Sequence, residues 1–435
     1  MRIDVAPPRG TRDLLPAEVE RRDAACAVIL DTYRTYGFRR IETPALESLA
    51  LLMSGEGGEN EKLIFKILKR GEKLESSLQG DVRELADLGL RFDLTVPLAR
   101  YYAHHHAKLP NPFKAIQIGP VWRAERPQRG RYRQFTQCDI DVLGLRSDVV
   151  EIELILATCD ALVALGVTSP VVRVNDRRLL AALAMHCGVE ERERDAFFIA
   201  FDKLDKQGAA GVVAELRATN HPPASIERFE ALLRELGHGT WELDAFCARL
   251  QPGPDGDAMR DAAAGLRTII EVVAAAAGSR YAIRFDPTLV RGMGYYTGPI
   301  FEVAPAGGAS SLAGGGRYDR MVGKLLGREV PACGFSIGLD RLVDALEDAT
   351  SSRQQSGTRR RIALLFDAEV DPVGDVVAWA RTMRGQGDVV SIETKSRNMG
   401  RRLTELESQG FTHYGFPGPG RAPELKPLHG PRVAP

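Results

Sequence analysis

The chain has 435 residues, 44% hydrophobic and 27% charged, with Lys plus Arg and Asp plus Glu balanced at 58 each. That length allows roughly two or three domains of about 100–200 residues, and the zero net charge excludes nucleic-acid binding by global basicity, leaving only local patches for such contact. The N-terminus MRIDVAPPRGTRDLLP lacks the apolar core of a secretory signal, apolar runs such as residues 272–277 are too short for a bilayer span, and six scattered cysteines without a CxxC pair argue against a disulfide framework or a structural zinc site. A cytoplasmic protein without a membrane segment or structural metal is the expectation.

Pro16 opens a helical pattern in which Ala25, Ile29, Tyr33 and Tyr36 fall three or four residues apart on one face. Gly37 supplies the left-handed residue that ends it. Residues 38–46 read as a strand closing at Pro44, and proline confines such a strand to an edge or interface, where a second subunit can pair. Residues 55–60 form a Gly/Glu loop and 63–68 a short strand. The next strand, 88–94, carries one acid, Asp93, in apolar company. A helix from Val96 follows, with Pro97 in its first turn, where no amide partner is lost. Asp93 and Thr95 at that junction can hold an ammonium group or simply cap the helix.

Residues 113–125 and 134–144 read as the arms of a hairpin whose tip, 126–133, is rich in arginine. Side chains alternate across a strand, so Arg123 and Glu125 share a face of the first arm. Gln137, Asp139 and Asp141 share one face of the second, and Cys138, Ile140 and Val142 the other. Antiparallel pairing makes one face apolar and the other charged. The charged face is either the wet side of a half-buried sheet or the floor of a binding site.

Residues 148–165 form a helix and 170–174 a strand. Residues 176–278 are almost entirely helix-like, and strand signals resume at Tyr281, so this stretch reads as an insertion in a β-rich domain. RFDPTLVRGMGYYTGPIFEV gives a strand, a glycine-punctuated turn with Arg291, the pair Tyr295–Tyr296, and another strand. AGGGRYD at 313–319 permits close backbone approach or a sharp bend, and Gly323–Lys324 does not belong to a P-loop. A strand at 332–338 runs into a helix at 339–346 with Arg341 in its first turn. A cation there opposes the helix dipole, which adds weight to anion binding against a surface salt bridge, the commoner fate. Residues 350–361 are a polar, flexible linker. Strands at 362–366, 388–393 and 412–416 then alternate with helices at 373–386 and 400–409. This is a small α/β domain with parallel strands and right-handed crossovers, ending in a Pro/Gly-rich tail ordered only in part.

The chemistry-bearing set is an acidic and amide floor (Asp93, Gln137, Asp141), three arginines (Arg123, Arg291, Arg341), glycine-rich backbone and aromatic rings. Arginine clamps phosphate and carboxylate through its rigid fork, and acids beside it suit a zwitterion plus a polyphosphate. No Ser/His/Asp or Cys/His arrangement stands out, and His104–His105–His106 sits at a surface helix end rather than in a metal site. Adenylation of a carboxylate fits, because it needs positioning and charge stabilisation rather than a covalent nucleophile.

Several stretches, in order, resemble one family. GPVWRAERPQRGRYRQFTQCDIDVLG resembles motif 2 of class II aminoacyl-tRNA synthetases in the histidyl form. RGMGYYTGPIFE resembles the histidine-specific motif and GGGRYDRMVGKLLGREVPACGFSIGLDRL motif 3, while PRGTRDLLP and YGFRRIETPALE resemble the N-terminus and motif 1. The resemblance covers residues 6–347 and, more loosely, the last domain. It implies an α+β fold: a six-stranded antiparallel class II sheet flanked by helices (1–175 and 279–349), a helical insertion (176–278), a linker (350–361) and an anticodon-binding-like α/β domain (362–435). It further implies a homodimer across motif 1, and a two-step reaction in which ATP and histidine give histidyl-adenylate before transfer to tRNA(His). By the same resemblance Arg123 holds the α-phosphate and carboxylate, Arg291 stabilises the reacting phosphate, Glu125 meets adenine, and Arg131 and Arg341 meet the outer phosphates. Asp93, Thr95 and Gln137 receive the ammonium; Asp141 and Tyr296, with Tyr295 beside it, read the imidazole. Magnesium accompanies ATP, and Arg126, Arg129 and Arg133 at the tip face the tRNA acceptor end.

Three departures stand out. Gly294 occupies a place that is acidic in many relatives, Asp93 and Asp141 are one methylene shorter than the glutamates of some, and the last domain reads as cut short. The alternatives are a regulatory paralogue, like the synthetase-like subunit of ATP phosphoribosyltransferase, and an activating paralogue that does not charge tRNA. The regulatory reading requires loss of motif 3, the catalytic arginine and the last domain. Arg291, Arg341 and residues 362–416 speak against it.

Overall fold

The computed structural model describes residues 5–54, 60–78, 81–127, 131–219, 221–236, 241–250, 256–290, 294–306, 311–346, 360–409, 411–418 and 422–428. The strands among them are β1 (Arg39–Arg40), β2 (Leu46–Ser48), β3 (Lys66–Leu68), β4 (Ala86–Leu90), β5 (Phe113–Trp122), β6 (Gln134–Leu143), β7 (Val171–Asp176) and β8 (Ala282–Phe285). Then come β9 (Pro299–Ala304), β10 (Ala313–Arg317), β11 (Ala332–Gly338), β12 (Arg361–Phe366), β13 (Val389–Thr394), β14 (His413–Gly415) and β15 (Lys426–Pro427).

The main sheet has eight strands in the order β1-β5-β6-β11-β10-β9-β7-β8. Its inner six pair antiparallel throughout, as the resemblance implies, and a parallel strand is added at either edge. Helices flank it, so the class is α+β. The helix Val149–Ala164 is apolar almost all round and buried on nearly every side, as befits a helix enclosed by the core rather than lying on it. It packs on the helix Pro16–Thr35 and on β11. Pro16 and Gly37 bound the first helix as their chemistry predicts: Pro16 lies in the first turn, and Gly37 has φ +83°. Ala25, Ile29, Tyr33 and Tyr36 are all buried.

Some predicted strands are shorter than expected. The strand at 38–46 contracts to β1 at the sheet edge, and Leu46 opens a separate three-stranded sheet, β2-β4-β3. The strand at 88–94 ends at Leu90 because Arg91 turns across the chain: its Nε donates to Pro120 O at 2.9 Å and Nη1 to Thr43 O at 2.7 Å. The first hairpin arm ends at Trp122 rather than Glu125, although Arg123 N still donates to Arg133 O at 2.8 Å.

Between β7 and β8 the described chain is helical, from Arg177–His186 to the long helix Gly256–Ala277. The last domain has the order β13-β12-β14-β15, parallel except for β15, which the tail contributes antiparallel to β14. Of the predicted linker only Arg360 and Arg361 lie within the described residues, and Arg361 already opens β12. This domain is fastened to the main sheet by buried charge. Glu153 Oε2 accepts from Lys114 Nζ at 2.7 Å, and Arg384 Nη2 lies 2.5 Å from Glu153 Oε1, with the guanidinium 3.6 Å from the Tyr36 ring centre.

Candidate active site

The polar face of β6 decides between the two readings of the hairpin. Gln137, Asp139 and Asp141 are only 7%, 3% and 2% exposed, so the face is not a wet one. Opposite them stand Gly119, Gln117 and Ala115 on β5 and Gly338, Ser336 and Gly334 on β11, small or neutral residues throughout. Cys138, Ile140 and Val142, on the reverse face, belong to the main core.

Above the row lies a cleft of about 420 Å³, open at one side. Seven sequence-predicted residues line it: Asp93, Thr95, Arg123, Gln137, Asp141, Tyr295 and Tyr296. Glycine makes the room. A Cβ on Gly334 would strike Asp141 Oδ1, and one on Gly315 would strike the Gly334 carbonyl.

Each wall is held by a specific contact. Gln117 Nε2 donates to Leu94 O at 2.9 Å, fixing the turn that carries Asp93. Asp93 Oδ1 accepts from Val96 N at 3.0 Å and Oδ2 from Tyr295 Oη at 3.3 Å. The acid is therefore a helix cap as well as a wall of the cleft. Arg123 Nε donates to Phe92 O at 3.0 Å, and its guanidinium stands 5.0 Å from the Phe135 ring centre. Tyr318 Oη donates to Asp141 Oδ1 at 2.7 Å. Tyr318 is itself locked between Arg317, doubly bonded to Glu151, and Asp319, whose Oδ1 accepts from Ala332 N at 2.8 Å.

Burial pushes up the carboxyl of Asp93, with the Val96 amide and Arg123 opposing it. Burial and the neighbouring Asp141 push Asp139 well up. Asp141 is raised by burial to about 7, the Tyr318 bond working against the shift. Three buried acids share one cleft with a single arginine, Arg123, and burial favours the uncharged form of a carboxyl. Three acceptor atoms lack any partner: Gln137 Oε1, Asp139 Oδ1 and Asp141 Oδ2. A row of unpaired buried acceptors is costly unless a donor-rich ligand completes it.

The remaining predicted residues lie elsewhere. Arg341 Nη1 donates to Ser311 O at 3.3 Å. Its neighbour Asp340 ties the helix to the hairpin, bonding Arg22 at 2.7 Å, Arg12 at 3.3 Å and the Thr136 amide at 2.8 Å. Glu125 and the exposed Arg131 are 3.6 Å apart. Arg126 is exposed. Arg133 differs from a tRNA-facing tip residue, because Nε donates to Glu125 O at 3.1 Å and Nη1 to Arg9 O at 3.4 Å; it braces the hairpin against the N-terminal segment. Arg291 and Arg129 lie outside the described residues. Sequence reasoning did not single out Tyr318, Ser336 or Asp139. For Asp139 the signal was its alternation with Gln137 and Asp141.

An antiparallel sheet carrying acids, an arginine and bare glycine backbone in one cleft is the catalytic architecture of a class II aminoacyl-tRNA synthetase. The family model for histidyl-tRNA synthetase matches residues 10–342. A histidine--tRNA ligase of Leifsonia xyli is 46% identical over 98% of this chain and 99% of its own length. A probable histidine--tRNA ligase of Tropheryma whipplei is 38% identical over 98% of this chain and 100% of its own. The crystal structure of histidyl-tRNA synthetase from Nostoc sp. PCC 7120 superimposes with a TM-score of 0.64 at 27% identity, covering 98% of this chain and 95% of that one. The chain belongs to the histidyl-tRNA synthetase family. The Leifsonia relative spans the same extent, last domain included.

Proposed function

We propose that this chain activates histidine with ATP to histidyl-adenylate and transfers the acyl group to tRNA(His). The observation that carries the reading is the graded row on β6: a guanidinium at the level of Phe135, an amide at Gln137, then carboxyls at Asp139 and Asp141 with Tyr318 at the far end. An amino acid whose carboxylate meets Arg123 lays its ammonium over the middle of the row and its imidazole at Asp141. A site built to hydrogen-bond a side chain rejects analogues that leave its buried groups unpaired. Arg123 then neutralises the carboxylate and α-phosphate, and Arg291 meets charge developing at the reacting phosphate, where a preorganised cation has most effect. Glu125 and Arg131 part to receive adenine and outer phosphates, with Arg341 on the phosphates too. Exposed pairs like theirs are worth only about 0–1 kcal/mol.

Among the described residues no three His, Cys, Asp or Glu side chains are grouped to hold a metal ion. We assign magnesium to the ATP phosphates, whose charge it would neutralise, in keeping with its usual reliance on one or two carboxylates plus phosphate oxygens. The exposed Arg126, with Arg129, faces the tRNA acceptor end. For a homodimer we point to the β2-β4-β3 sheet, whose Leu46, Leu68 and Leu88 are 46%, 58% and 38% exposed. No described helix is long and apolar enough to cross a membrane, and we place the protein in the cytoplasm.

The test is histidine-dependent exchange of pyrophosphate into ATP, followed by charging of tRNA(His). No exchange with histidine sinks the reading. Exchange without charging would favour the paralogue that activates histidine for another acceptor.

A further inference from the structure

Residues 8–12 precede the first helix and lie against both limbs of the hairpin tip. Their turn closes on itself, Thr11 N and Oγ1 both donating to Pro8 O, at 2.9 and 2.7 Å. Gly10 sits in that turn at φ +87°, and a Cβ there would meet Pro127 Cγ on the outgoing limb and Arg133 Cδ on the returning one, each at 2.8 Å. The Gly10 carbonyl accepts from Arg133 N at 2.7 Å. Two residues on, the Arg12 guanidinium stands 4.4 Å from the Tyr132 ring centre, within the range of a cation–π contact.

Arg12 has a second attachment, remote in sequence. Its Nη2 donates to Asp340 Oδ1 at 3.3 Å, an oxygen that also accepts from Arg22 Nη1 at 2.7 Å. Asp340 Oδ2 accepts from Thr136 N at 2.8 Å, and Arg22 Nη2 donates to Thr136 Oγ1 at 2.8 Å. Asp340 is only 7% exposed, so this junction is poorly screened and holds more firmly than an exposed ion pair. Arg131 precedes Tyr132 in the chain, and Arg341 follows Asp340. Arg12 and Asp340 thus tie together the two backbone positions that carry Arg131 and Arg341. The Arg131 side chain is exposed and 3.6 Å from Glu125, so its place is set by the backbone beneath it.

We propose that residues 8–12 form a positioning clasp for the triphosphate of ATP, in which Arg12, stacked on Tyr132 and paired with Asp340, holds Arg131 and Arg341 at a fixed separation. A misplacement of about 1 Å is enough to lose most of what a well-aimed charge contributes. The adenine and α-phosphate end is held independently of Arg12: Arg123 Nε donates to Phe92 O, and the Glu125 carbonyl accepts from Arg133 Nε. The assignment rests on the reading of Arg131 and Arg341 as contacts of the outer phosphates.

Steady-state pyrophosphate exchange tests it, with ATP, histidine and AMP varied in turn, AMP being a competitor that lacks the outer phosphates. In Arg12→Met and in Tyr132→Leu the KM for ATP rises about tenfold, as expected on loss of a charge-assisted contact. The Ki of AMP and the KM for histidine change by less than about twofold. Tyr132→Phe keeps the ring and behaves as the unmodified protein. Equal losses for ATP and AMP, a KM for ATP unchanged in both variants, or a Tyr132→Phe as impaired as Tyr132→Leu overturn the assignment. If Arg12→Met does not fold, as judged by its thermal transition, Arg12→Lys, which keeps the charge beside Asp340 but not the flat stack, is assayed on the same criterion. If the unmodified protein shows no histidine-dependent exchange, the catalytic reading fails, and calorimetric titration with ATP and AMP decides the clasp on the same ratio of losses.

Discussion

Replacing Asp141 by asparagine is expected to stabilise this protein at neutral pH while impairing it. The Asp141 carboxyl is raised from 3.8 to about 7 in the folded chain, chiefly by burial. The folded chain therefore holds the proton more tightly than the unfolded one. By linkage, stability fully present below the unfolded value near 4 is lost as pH rises to about 7. The gap is about three pKa units at about 1.4 kcal/mol each, so this single group costs roughly 4 kcal/mol once ionised. Asparagine has the same shape, still accepts from Tyr318, and carries no charge. Asp141→Asn should thus exceed the parent by about 2–4 kcal/mol at pH 8 and by under about 1 kcal/mol at pH 4.5. Part of the gain comes through Asp139, whose ionisation the Asp141 charge opposes. Urea midpoints at the two pH values measure it. A difference that fails to grow between pH 4.5 and pH 8 would refute the reasoning. In exchange assays the same variant should raise the KM for histidine by about tenfold or more, the worth of a hydrogen bond to a charged group.

Tyr318→Phe removes the bond that restrains Asp141, so its carboxyl should titrate above 7, and the fall of the histidine KM with rising pH should move up by about 0.5–1 unit; an unmoved pH profile would remove Tyr318 from the site. Gly334→Ala puts a methyl group against Asp141 Oδ1, and pyrophosphate exchange should drop through the histidine KM while the thermal midpoint falls by only a few degrees. Glu153→Gln removes the acid that Lys114 and Arg384 share, leaving Glu393 as the remaining buried acid beside Lys114. Loss of one partner in so buried a network costs about 3–5 kcal/mol; calorimetry should show the last domain unfolding apart from the main sheet, and a single unchanged transition would contradict the fastening role.

Period was legible in the sequence; reach was not. Alternation with a period of two put Gln137, Asp139 and Asp141 on one face of β6 without any knowledge of the fold, and the spacing of Ala25, Ile29, Tyr33 and Tyr36 gave the buried side of the first helix. The end of β4 was not legible. Residues 88–94 have a strand's composition, and the chain leaves the sheet because Arg91 finds carbonyls at Thr43 and Pro120, remote in sequence. Tyr318 meets Asp141 across 177 positions, and Arg133 meets the Arg9 carbonyl across 124. Such pairs depend on strand order, which local pattern does not encode. Asp139 shows the remaining gap: periodicity placed it on the floor, but that its Oδ1 has no partner is a fact of the fold alone.

The three buried acids also imply how the substrate and the fold are linked. Asp93, Asp139 and Asp141 are all pushed toward their protonated forms by burial, so ionising them weakens the fold unless a cation joins them. A histidine ammonium supplies the missing positive charge, and it binds best to acids that have released their protons. Ligand binding stabilises a protein by RT ln(1 + [L]/Kd), so whatever tightens Kd with pH also enlarges the stabilisation. The rise in thermal midpoint at a fixed, sub-saturating histidine concentration should therefore be greater at pH 8 than at pH 6.5, and the increment should shrink in Asp139→Asn and in Asp141→Asn. A histidine-induced rise that is the same at both pH values in the unmodified protein would mean that these carboxyls are already ionised before histidine binds, and that the cation balancing them belongs to the protein rather than to the substrate.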